Sequence, residues 1–284
     1  MIPTTFDYSR ATSLDDALAK LKAANGAGKF IAGGHSLVPL MKLRLSEPQV
    51  LIDISRIKDL AGIAERDGKI TIGAGTVHHD VATSSLLRER CPAVSDAAAT
   101  IGDQQVRNRG TIGGSVAHAD PSADMPAVML ALDAEIHLKG PKGWRVVKAA
   151  DFFKDLFTVD MAADEIIGSI QFAPVKTAAY AKLYQKASHY AIVGVAASLD
   201  VSGSKIVSAR IGLTGATSHS CRLTNVEQAL AGQPLSKQAI DGAAQVAGQG
   251  LEELNADLHA SADYRRAMIP VFTRRALTAA MARA

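Results

Sequence analysis

Ala32-Gly33-Gly34-His35-Ser36 is the stretch around which the chain is organised. It follows a short apolar run, Phe30-Ile31, and precedes the helix-like segment Leu37–Met41. Paired glycines let backbone N–H groups approach an anion closely, and the start of a helix adds favourable partial charge. The same pattern also suits an ordinary turn, because short glycine motifs often match by chance. Taken alone, the loop leaves both interpretations open.

Length and composition favour a folded protein of two or three units. The chain has 284 residues, of which 48% are hydrophobic and 21% are charged. Its net charge of +3 is too small to indicate binding to nucleic acid or to a membrane surface. Two cysteines, Cys91 and Cys221, are too few for a disulfide framework or an iron–sulfur cluster. No secretory signal or membrane span is predicted, so we expect a cytoplasmic protein.

Residues 1–55 are predicted to form a strand–helix–strand unit. Ser13 is positioned to cap a helix that begins at Leu14. Strands are predicted at Phe30–Ala32 and Val50–Ile54, with a helix over Leu37–Leu43 between them.

Residues 56–177 are predicted to contain two hairpins. Asp67-Gly68 is the turn sequence that a type I′ hairpin requires, and a second hairpin is predicted over residues 135–147. Thr76 is positioned to cap a helix, Pro92 to open another, and a strand over Glu165–Phe172 ends the region. Residues 102–124 are polar and rich in glycine.

Residues 178–284 are predicted to form a three-stranded antiparallel sheet followed by helices. The strands are expected at Tyr180–Lys186, Ile192–Val201 and Lys205–Leu213. Three helices are predicted after them, the last over Asp263–Ala284, with the pair Arg265-Arg266 on a solvated face.

A second glycine loop, Gly110-Thr111-Ile112-Gly113-Gly114-Ser115, is similar in kind to the first. Two such loops in adjoining domains are suited to hold the two phosphates of one nucleotide between them. Neither loop is a Rossmann fingerprint, since no G-x-G-x-x-G opens a helix with an acid about 20 residues on, and no Walker lysine motif is present.

The two loops together make the chain similar to a known family. With Gln105–Arg109 ahead of the second loop and Asp120–Pro126 after it, they closely resemble the FAD-binding flavoprotein subunits of the molybdenum hydroxylases. This is the family of the carbon monoxide dehydrogenase medium subunit and the xanthine dehydrogenase FAD subunit. The resemblance covers nearly the whole chain, from Met1-Ile2-Pro3 to Ala262–Arg265.

The resemblance implies an α+β architecture, the vanillyl-alcohol-oxidase-type (PCMH) FAD-binding fold. Residues 1–55 and 56–177 would be its two α+β subdomains, with FAD between them. Residues 178–284 would be a C-terminal flavoprotein domain with the three-stranded antiparallel sheet and helices.

The resemblance also implies where FAD is held. Both loops would bind the pyrophosphate through backbone N–H groups, and Asp124 would bond the ribityl or adjoining hydroxyls. Tyr190 would cover a face of the flavin, with Lys182 and Ile167 nearby. The implied cofactor-binding residues are Ala32, Gly33, Gly34, His35, Ser36, Thr111, Gly113, Gly114, Ser115, Asp124, Ile167, Lys182 and Tyr190.

Two positions depart from the family pattern. Ser115 stands where the family usually has Asn, so one amide contact becomes a hydroxyl or is lost. His189 stands where Asp is expected in the run before the aromatic residue, which changes the contacts beside the flavin ring.

Several polar residues have an ordinary structural interpretation as well. His35 either bonds a phosphate or caps the helix that follows, and Arg107 and Arg109 suit a solvated or interface position better than a direct FAD contact. The adjacent His78-His79 point apart on a helix, so no metal site is predicted. No nucleophile–base pair is evident, and no catalytic residue is predicted.

The resemblance implies an electron-transfer subunit of a molybdenum hydroxylase. A large molybdopterin subunit would oxidise the substrate, and a small iron–sulfur subunit would pass electrons to FAD on this chain. A quinone, oxygen or NAD would accept them, in a complex that is usually a dimer of heterotrimers. Two alternatives stay open: a self-sufficient FAD oxidoreductase of the same fold superfamily, and a non-catalytic nucleotide-binding assembly protein.

Overall fold

A computed structural model describes residues 2–284 of the chain; Met1, with which the first predicted domain begins, lies outside the described residues. Three sheets follow one another along the chain, of three, five and four strands, and a two-stranded hairpin is inserted before the last strand of the second sheet. The mixed α and β content confirms the predicted fold class.

The first sheet has three parallel strands in the order β1-β3-β2. Ser13 caps α1 as predicted, since its hydroxyl accepts a hydrogen bond from the Asp16 N–H at 3.1 Å. The edge strand β1 was not predicted, because its side chains are mostly exposed and carry no apolar alternation. The elements are β1 (Asp7–Arg10), α1 (Leu14–Ala23), β2 (Gly28–Ile31), α2 (Leu37–Lys42) and β3 (Val50–Asp53).

The second sheet has five antiparallel strands in the order β4-β5-β10-β6-β7. Asp67 and Gly68 have φ angles of +52° and +74°, which confirms the predicted hairpin turn. Its strands are β4 (Ile63–Arg66), β5 (Lys69–Gly73), β6 (Glu135–Gly140), β7 (Gly143–Lys148) and β10 (Ile166–Phe172). The inserted hairpin is β8 (Phe153–Asp155) and β9 (Thr158–Val159).

Seven helices lie between β5 and β10 in the order of the chain. The polar passage over residues 102–124 contains two complete helices and the start of a third, and none of the three was predicted. The helices are α3 (His78–Thr83), α4 (Ser85–Arg90), α5 (Pro92–Ala99), α6 (Gln104–Arg107), α7 (Ile112–His118), α8 (Asp124–Ala131) and α9 (Ala149–Phe152).

Thr76 does not cap α3, contrary to the sequence prediction. The residue before the helix is Val77, and the Thr76 hydroxyl bonds instead to the backbone of Gly62, from whose N–H it accepts at 3.0 Å. The helix begins later than expected because residues 74–78 pair with the second glycine loop.

The third sheet contains the predicted antiparallel meander, and a two-residue strand extends it. Its strands are β11 (Ala178–Tyr184), β12 (Ala191–Ser202), β13 (Lys205–Thr214) and β14 (Cys221–Arg222). Its helices are α10 (Thr224–Leu230), α11 (Lys237–Gln245) and α12 (Ala262–Met281), and α12 packs against β11 and β12. Among residues 2–284, no helix is both long and apolar enough to cross a membrane.

Arg265 of α12 is buried, so its predicted place on a solvated face is wrong. Its guanidinium donates to the carbonyls of Ile192 and Gly215, at 2.6 and 2.8 Å, and to the Asp257 carboxylate at 2.6 Å. A cation in the interior is tolerated here because it is paired and hydrogen-bonded.

Residues 121–124 join the third sheet to the rest of the chain. The carbonyl of Pro121 accepts from the Gly215 N–H at 2.7 Å and from the Thr214 hydroxyl at 2.8 Å, and that of Ser122 accepts from the Ala191 N–H at 3.1 Å. The residues that follow the second glycine loop are therefore held by the C-terminal sheet.

Candidate functional site

The two glycine loops are in direct backbone contact. A Cβ added at Gly33 would lie 2.8 Å from the carbonyl carbon of Arg109 and from the Cα of Gly110, and closer still to the Arg109 carbonyl oxygen. Only a glycine allows this approach. The structure thus brings together, at one point, two loops that are separated by more than seventy residues in the sequence.

The first loop presents a run of unused backbone donors. It connects the end of β2 to the start of α2, and Gly34 adopts a φ of +74°, which other residues adopt only with strain. Among residues 2–284, the N–H groups of residues 32–36 have no hydrogen-bond acceptor. Successive free N–H groups of this kind form a concave site for an anion.

The side chains of the first loop leave these donors open. The Nδ1 of His35 bonds to the carbonyl of Gly33 at 3.0 Å, so the imidazole is turned towards its own loop. Ser36 precedes α2, yet its hydroxyl makes no capping bond and remains free for a ligand.

The second loop is held in place by residues 74–78. The N–H of His78 donates to the Gly110 carbonyl at 2.9 Å, that of Ile112 to the Thr76 carbonyl at 3.0 Å, and that of Gly113 to the Ala74 carbonyl at 2.9 Å. A Cβ at Gly113 would lie 2.7 Å from the Ala74 oxygen. The glycine is therefore required for the close packing that positions the loop.

The second loop keeps fewer backbone donors for a ligand than the first. Gly114 donates to the Thr111 hydroxyl at 3.1 Å, and Ser115 donates to the Thr111 carbonyl at 3.0 Å. Gly114 is nevertheless exposed, and the Ser115 hydroxyl has no partner within the described part of the chain. A ligand between the loops would meet the backbone of the first and the exposed face of the second.

His78 is a buried neutral side chain behind the second loop. A Cβ at Gly110 would lie 3.0 Å from its Cδ2, so the ring packs directly against the loop. Its Nδ1 has no hydrogen-bond partner among residues 2–284. Burial lowers the pKa of His78 to about 4, and the nearby side chains of His35 and Arg107 act in the same direction.

Arg107 stabilises the turn at residues 101–102 rather than contacting an anion directly. Its guanidinium donates to the carbonyls of Ile101 and Gly102, at 2.9 and 3.1 Å. Arg109 contributes its backbone to the contact with Gly33.

Asp124, Lys182 and Tyr180 form a buried polar group where the C-terminal sheet meets α8. The Lys182 Nζ lies 2.8 Å from Asp124 Oδ1, and the Tyr180 hydroxyl donates to the same oxygen at 2.5 Å. The two charged side chains are only 1% and 6% exposed. Burial raises the pKa of Asp124, and the positive charge of Lys182 opposes that shift. Both of these partners contact Oδ1, which leaves Oδ2 of Asp124 for a ligand hydroxyl.

The remaining predicted contacts, Ile167 and Tyr190, differ in burial. Ile167 is buried in β10, next to the irregular position Gly168, whose carbonyl accepts from the Ala74 N–H at 3.0 Å. Tyr190 is 44% exposed. Its pKa is raised by partial burial and by the negative charges of Asp120 and Asp124.

These residues fit the FAD that the sequence resemblance implies. The free N–H groups of residues 32–36 suit a pyrophosphate, the unused oxygen of Asp124 suits a sugar or ribityl hydroxyl, and the Tyr190 ring suits a flavin face. Bound FAD would supply redox chemistry, since its flavin accepts and donates electrons singly or in pairs. Among residues 2–284, no group of three or more side chains is arranged to hold a metal ion.

Three parts of the site were not identified from the sequence. They are the supporting segment at residues 74–78, the Tyr180 hydroxyl on Asp124, and the carbonyls of residues 100–102, which bond to Arg107 and Lys182. All three act through backbone or buried contacts between distant segments, so no local motif marks them.

Comparison with known families places the chain in a defined group. Residues 4–175 match the FAD binding domain in molybdopterin dehydrogenase, and residues 178–280 match the CO dehydrogenase flavoprotein C-terminal domain.

Curated relatives match the chain over nearly their whole length. The chain is 40% identical over 286 residues to the carbon monoxide dehydrogenase medium chain of Hydrogenophaga pseudoflava, covering 100% of this chain and 99% of that one. It is 39% identical over 289 residues to the 6-hydroxypseudooxynicotine dehydrogenase complex subunit alpha of Paenarthrobacter nicotinovorans, covering 100% and 97%. A solved structure of the Hydrogenophaga pseudoflava carbon monoxide dehydrogenase superposes with a TM-score of 0.94, covering 100% of this chain and 99% of that chain.

Proposed function

The chain belongs to the FAD-binding medium subunits of the molybdenum hydroxylases, and on that premise we propose that it is the electron-transfer subunit of such a complex. Its cofactor is FAD. Electrons released by substrate oxidation on another subunit would leave the complex through this chain.

The contact between the two glycine loops carries this proposal. Residues 32–36 offer free N–H groups at a point where Gly33 touches the second loop, so one pyrophosphate reaches both. We propose that Ala32, Gly33, Gly34 and the Ser36 hydroxyl bind the phosphates. The side chain of His35 shapes the loop through its bond to Gly33.

The second loop and the Asp124 group complete the proposed site. Thr111, Gly113 and Gly114 form one wall of the proposed site, and the Ser115 hydroxyl supplies a hydrogen-bond donor to the ligand. Asp124, held by Lys182, orients a hydroxyl of the ligand through its free oxygen.

Beyond these contacts, two more residues complete the flavin side of the proposed site. Tyr190 covers one face of the flavin, and Ile167 contributes apolar surface at the base of the second loop.

The proposed partners are a small iron–sulfur subunit and a large molybdopterin subunit, in a dimer of heterotrimers. In this proposal the large molybdopterin subunit oxidises the substrate. Relatives at 40% and 39% identity belong to complexes named for carbon monoxide and for 6-hydroxypseudooxynicotine, which supports a substrate site outside this subunit.

We further propose a role for each of the three domains and a cytoplasmic location for the protein. Residues 1–55 and 56–177 carry one glycine loop each, and residues 178–284 close the flavin side, since Lys182 lies in β11 and Tyr190 in the loop between β11 and β12. Both cysteines are unpaired, which agrees with a cytoplasmic location, where thiols stay reduced.

Co-purification of the native complex tests the proposed function. A tagged full-length chain should elute with two other subunits and with FAD, iron and molybdenum. The same chain purified alone should bind FAD and oxidise none of the substrates that the complex oxidises. Oxidation of substrate by the isolated chain would instead support a self-sufficient oxidoreductase.

A further inference from the structure

His189 lies in a tight loop that joins β11 to β12 and carries Tyr190. The Gln185 N–H donates to the Tyr190 carbonyl at 2.9 Å, and the His189 N–H donates to the Gln185 carbonyl at 2.8 Å. The Gln185 side-chain oxygen accepts from the N–H groups of Ala187 and Ser188, at 2.7 and 2.6 Å. The loop is therefore rigid within itself, and its placement depends on what it contacts outside.

The His189 imidazole makes that outside contact. Its Nδ1 donates to the carbonyl of Gly102 at 2.7 Å, across 87 residues of sequence. The ring also packs edge-on against Tyr184, with the centroids 5.2 Å apart. Because a carbonyl oxygen only accepts, the Nδ1 must carry the proton.

The carbonyls of residues 100–102 accept hydrogen bonds from side chains of two separate segments of the chain. Arg107 donates to the carbonyls of Ile101 and Gly102, while Lys182 donates to the Thr100 carbonyl at 3.0 Å and to the His189 carbonyl at 2.7 Å. This turn ends α5 and leads through α6 into the second glycine loop. The C-terminal sheet thus contacts the chain immediately ahead of that loop.

His189 also holds an uncommon backbone conformation, with a φ of +62°. A side chain in this region costs about 1 kcal/mol or more, and Asn is among the residues that tolerate it best. The conformation turns the imidazole towards Gly102 while the His189 carbonyl faces Lys182.

We propose that His189 is a positioning residue that fastens the Tyr190 loop to the turn ahead of the second glycine loop. The hydrogen bond from His189 to Gly102 holds the loop that carries Tyr190 close to the second glycine loop, and so slows the release of FAD. This inference rests on the proposed FAD site, and it adds a residue that makes no contact with the ligand itself.

The test compares three substitutions in the full-length chain loaded with FAD. His189→Asn keeps a donor near the position of Nδ1 and tolerates the backbone conformation. His189→Ala removes the donor, and His189→Gly removes both the donor and the backbone strain. His259→Ala, at an exposed histidine that lies outside the Tyr190 loop in the sequence, is the matched control.

The rate of FAD release, followed by the recovery of flavin fluorescence, should rise about five- to tenfold in His189→Ala and His189→Gly. It should stay within about twofold of the wild type in His189→Asn and in the control. Release from His189→Ala at the wild-type rate would overturn the proposal, and so would release from His189→Asn as fast as from His189→Ala.

Amide hydrogen exchange of the FAD-free chain separates this inference from the proposed function. Loss of the bond should speed exchange in residues 100–102 and 185–190 of His189→Ala, with protection restored in His189→Asn. Unchanged exchange in His189→Ala contradicts the proposal, whether or not the chain binds FAD. A wild-type chain that shows the protection and binds no FAD contradicts the proposed function alone.

Discussion

Replacement of Gly33 by alanine tests the contact between the two glycine loops. The new Cβ would lie 2.8 Å from the Arg109 carbonyl carbon and the Gly110 Cα, where an ordinary carbon–carbon contact is about 3.5 Å or more. The Arg109 carbonyl oxygen is closer still, and all three obstructing atoms belong to the backbone, so no rotamer change relieves the clash. The loops must separate by at least about 0.7 Å.

That separation should weaken FAD binding by a predictable amount. A hydrogen bond from a backbone N–H to a charged phosphate contributes about 1.5–3 kcal/mol. If the displacement removes one such bond, Gly33→Ala should raise the Kd for FAD by about 10- to 100-fold. Titration of the deflavinated chain with FAD, followed by flavin fluorescence, measures the change.

Gly242→Ala is the matched control, because a Cβ at this exposed helical glycine meets no atom within 4 Å. It should leave the Kd unchanged and stabilise α11 by about 0.5–1 kcal/mol. Circular dichroism at the titration temperature checks that Gly33→Ala remains folded. A folded Gly33→Ala chain that binds FAD within twofold of the wild type would refute the argument from loop contact.

Three further predictions concern buried and charged groups. Asp124→Ala leaves Lys182 buried without its carboxylate partner and should lower the free energy of unfolding by about 3–5 kcal/mol, measured by urea denaturation. The double variant Asp124→Leu/Lys182→Met should lose less stability than Asp124→Ala, and an equal loss would contradict the argument. His78 has a pKa of about 4 when folded, below its unfolded value, so the unfolded state binds more protons as the pH falls from 6.5 towards 4 and stability declines. This group alone should make the FAD-free chain about 2 kcal/mol less stable at pH 5 than at pH 7, and His78→Leu should show a correspondingly smaller decline. Arg283→Ala removes bonds to Asp96 and to the Ala178 carbonyl, at 2.8 and 2.5 Å, and should lower stability by about 1 kcal/mol in thermal unfolding, with no further loss on adding Asp96→Ala.

The sequence correctly predicts the elements that depend on residues close together in the chain. The Asp67-Gly68 turn, the Ser13 cap and the meander that begins at β11 depend on neighbouring residues, and each lies where the sequence predicts it. The two glycine loops were identified for the same reason, since the steric requirement for glycine shows directly in the sequence.

Contacts between distant segments explain what the sequence did not show. Thr76 has the composition of a helix cap, yet the pairing of residues 74–78 with the second loop moves the start of α3. Arg265 looks like a solvated helix residue, yet it reaches carbonyls of the third sheet. The edge strand β1 depends on pairing with β3 and has little apolar pattern of its own. In each case a tertiary contact overrides a local preference.

The position of FAD in a structure of the loaded chain tests the central claim most directly. The pyrophosphate oxygens should lie within hydrogen-bonding distance of the N–H groups of residues 32–36, with the Ser115 hydroxyl on the opposite side and a ligand hydroxyl on Asp124. A pyrophosphate bound elsewhere, with the N–H groups of residues 32–36 still free, would contradict the account.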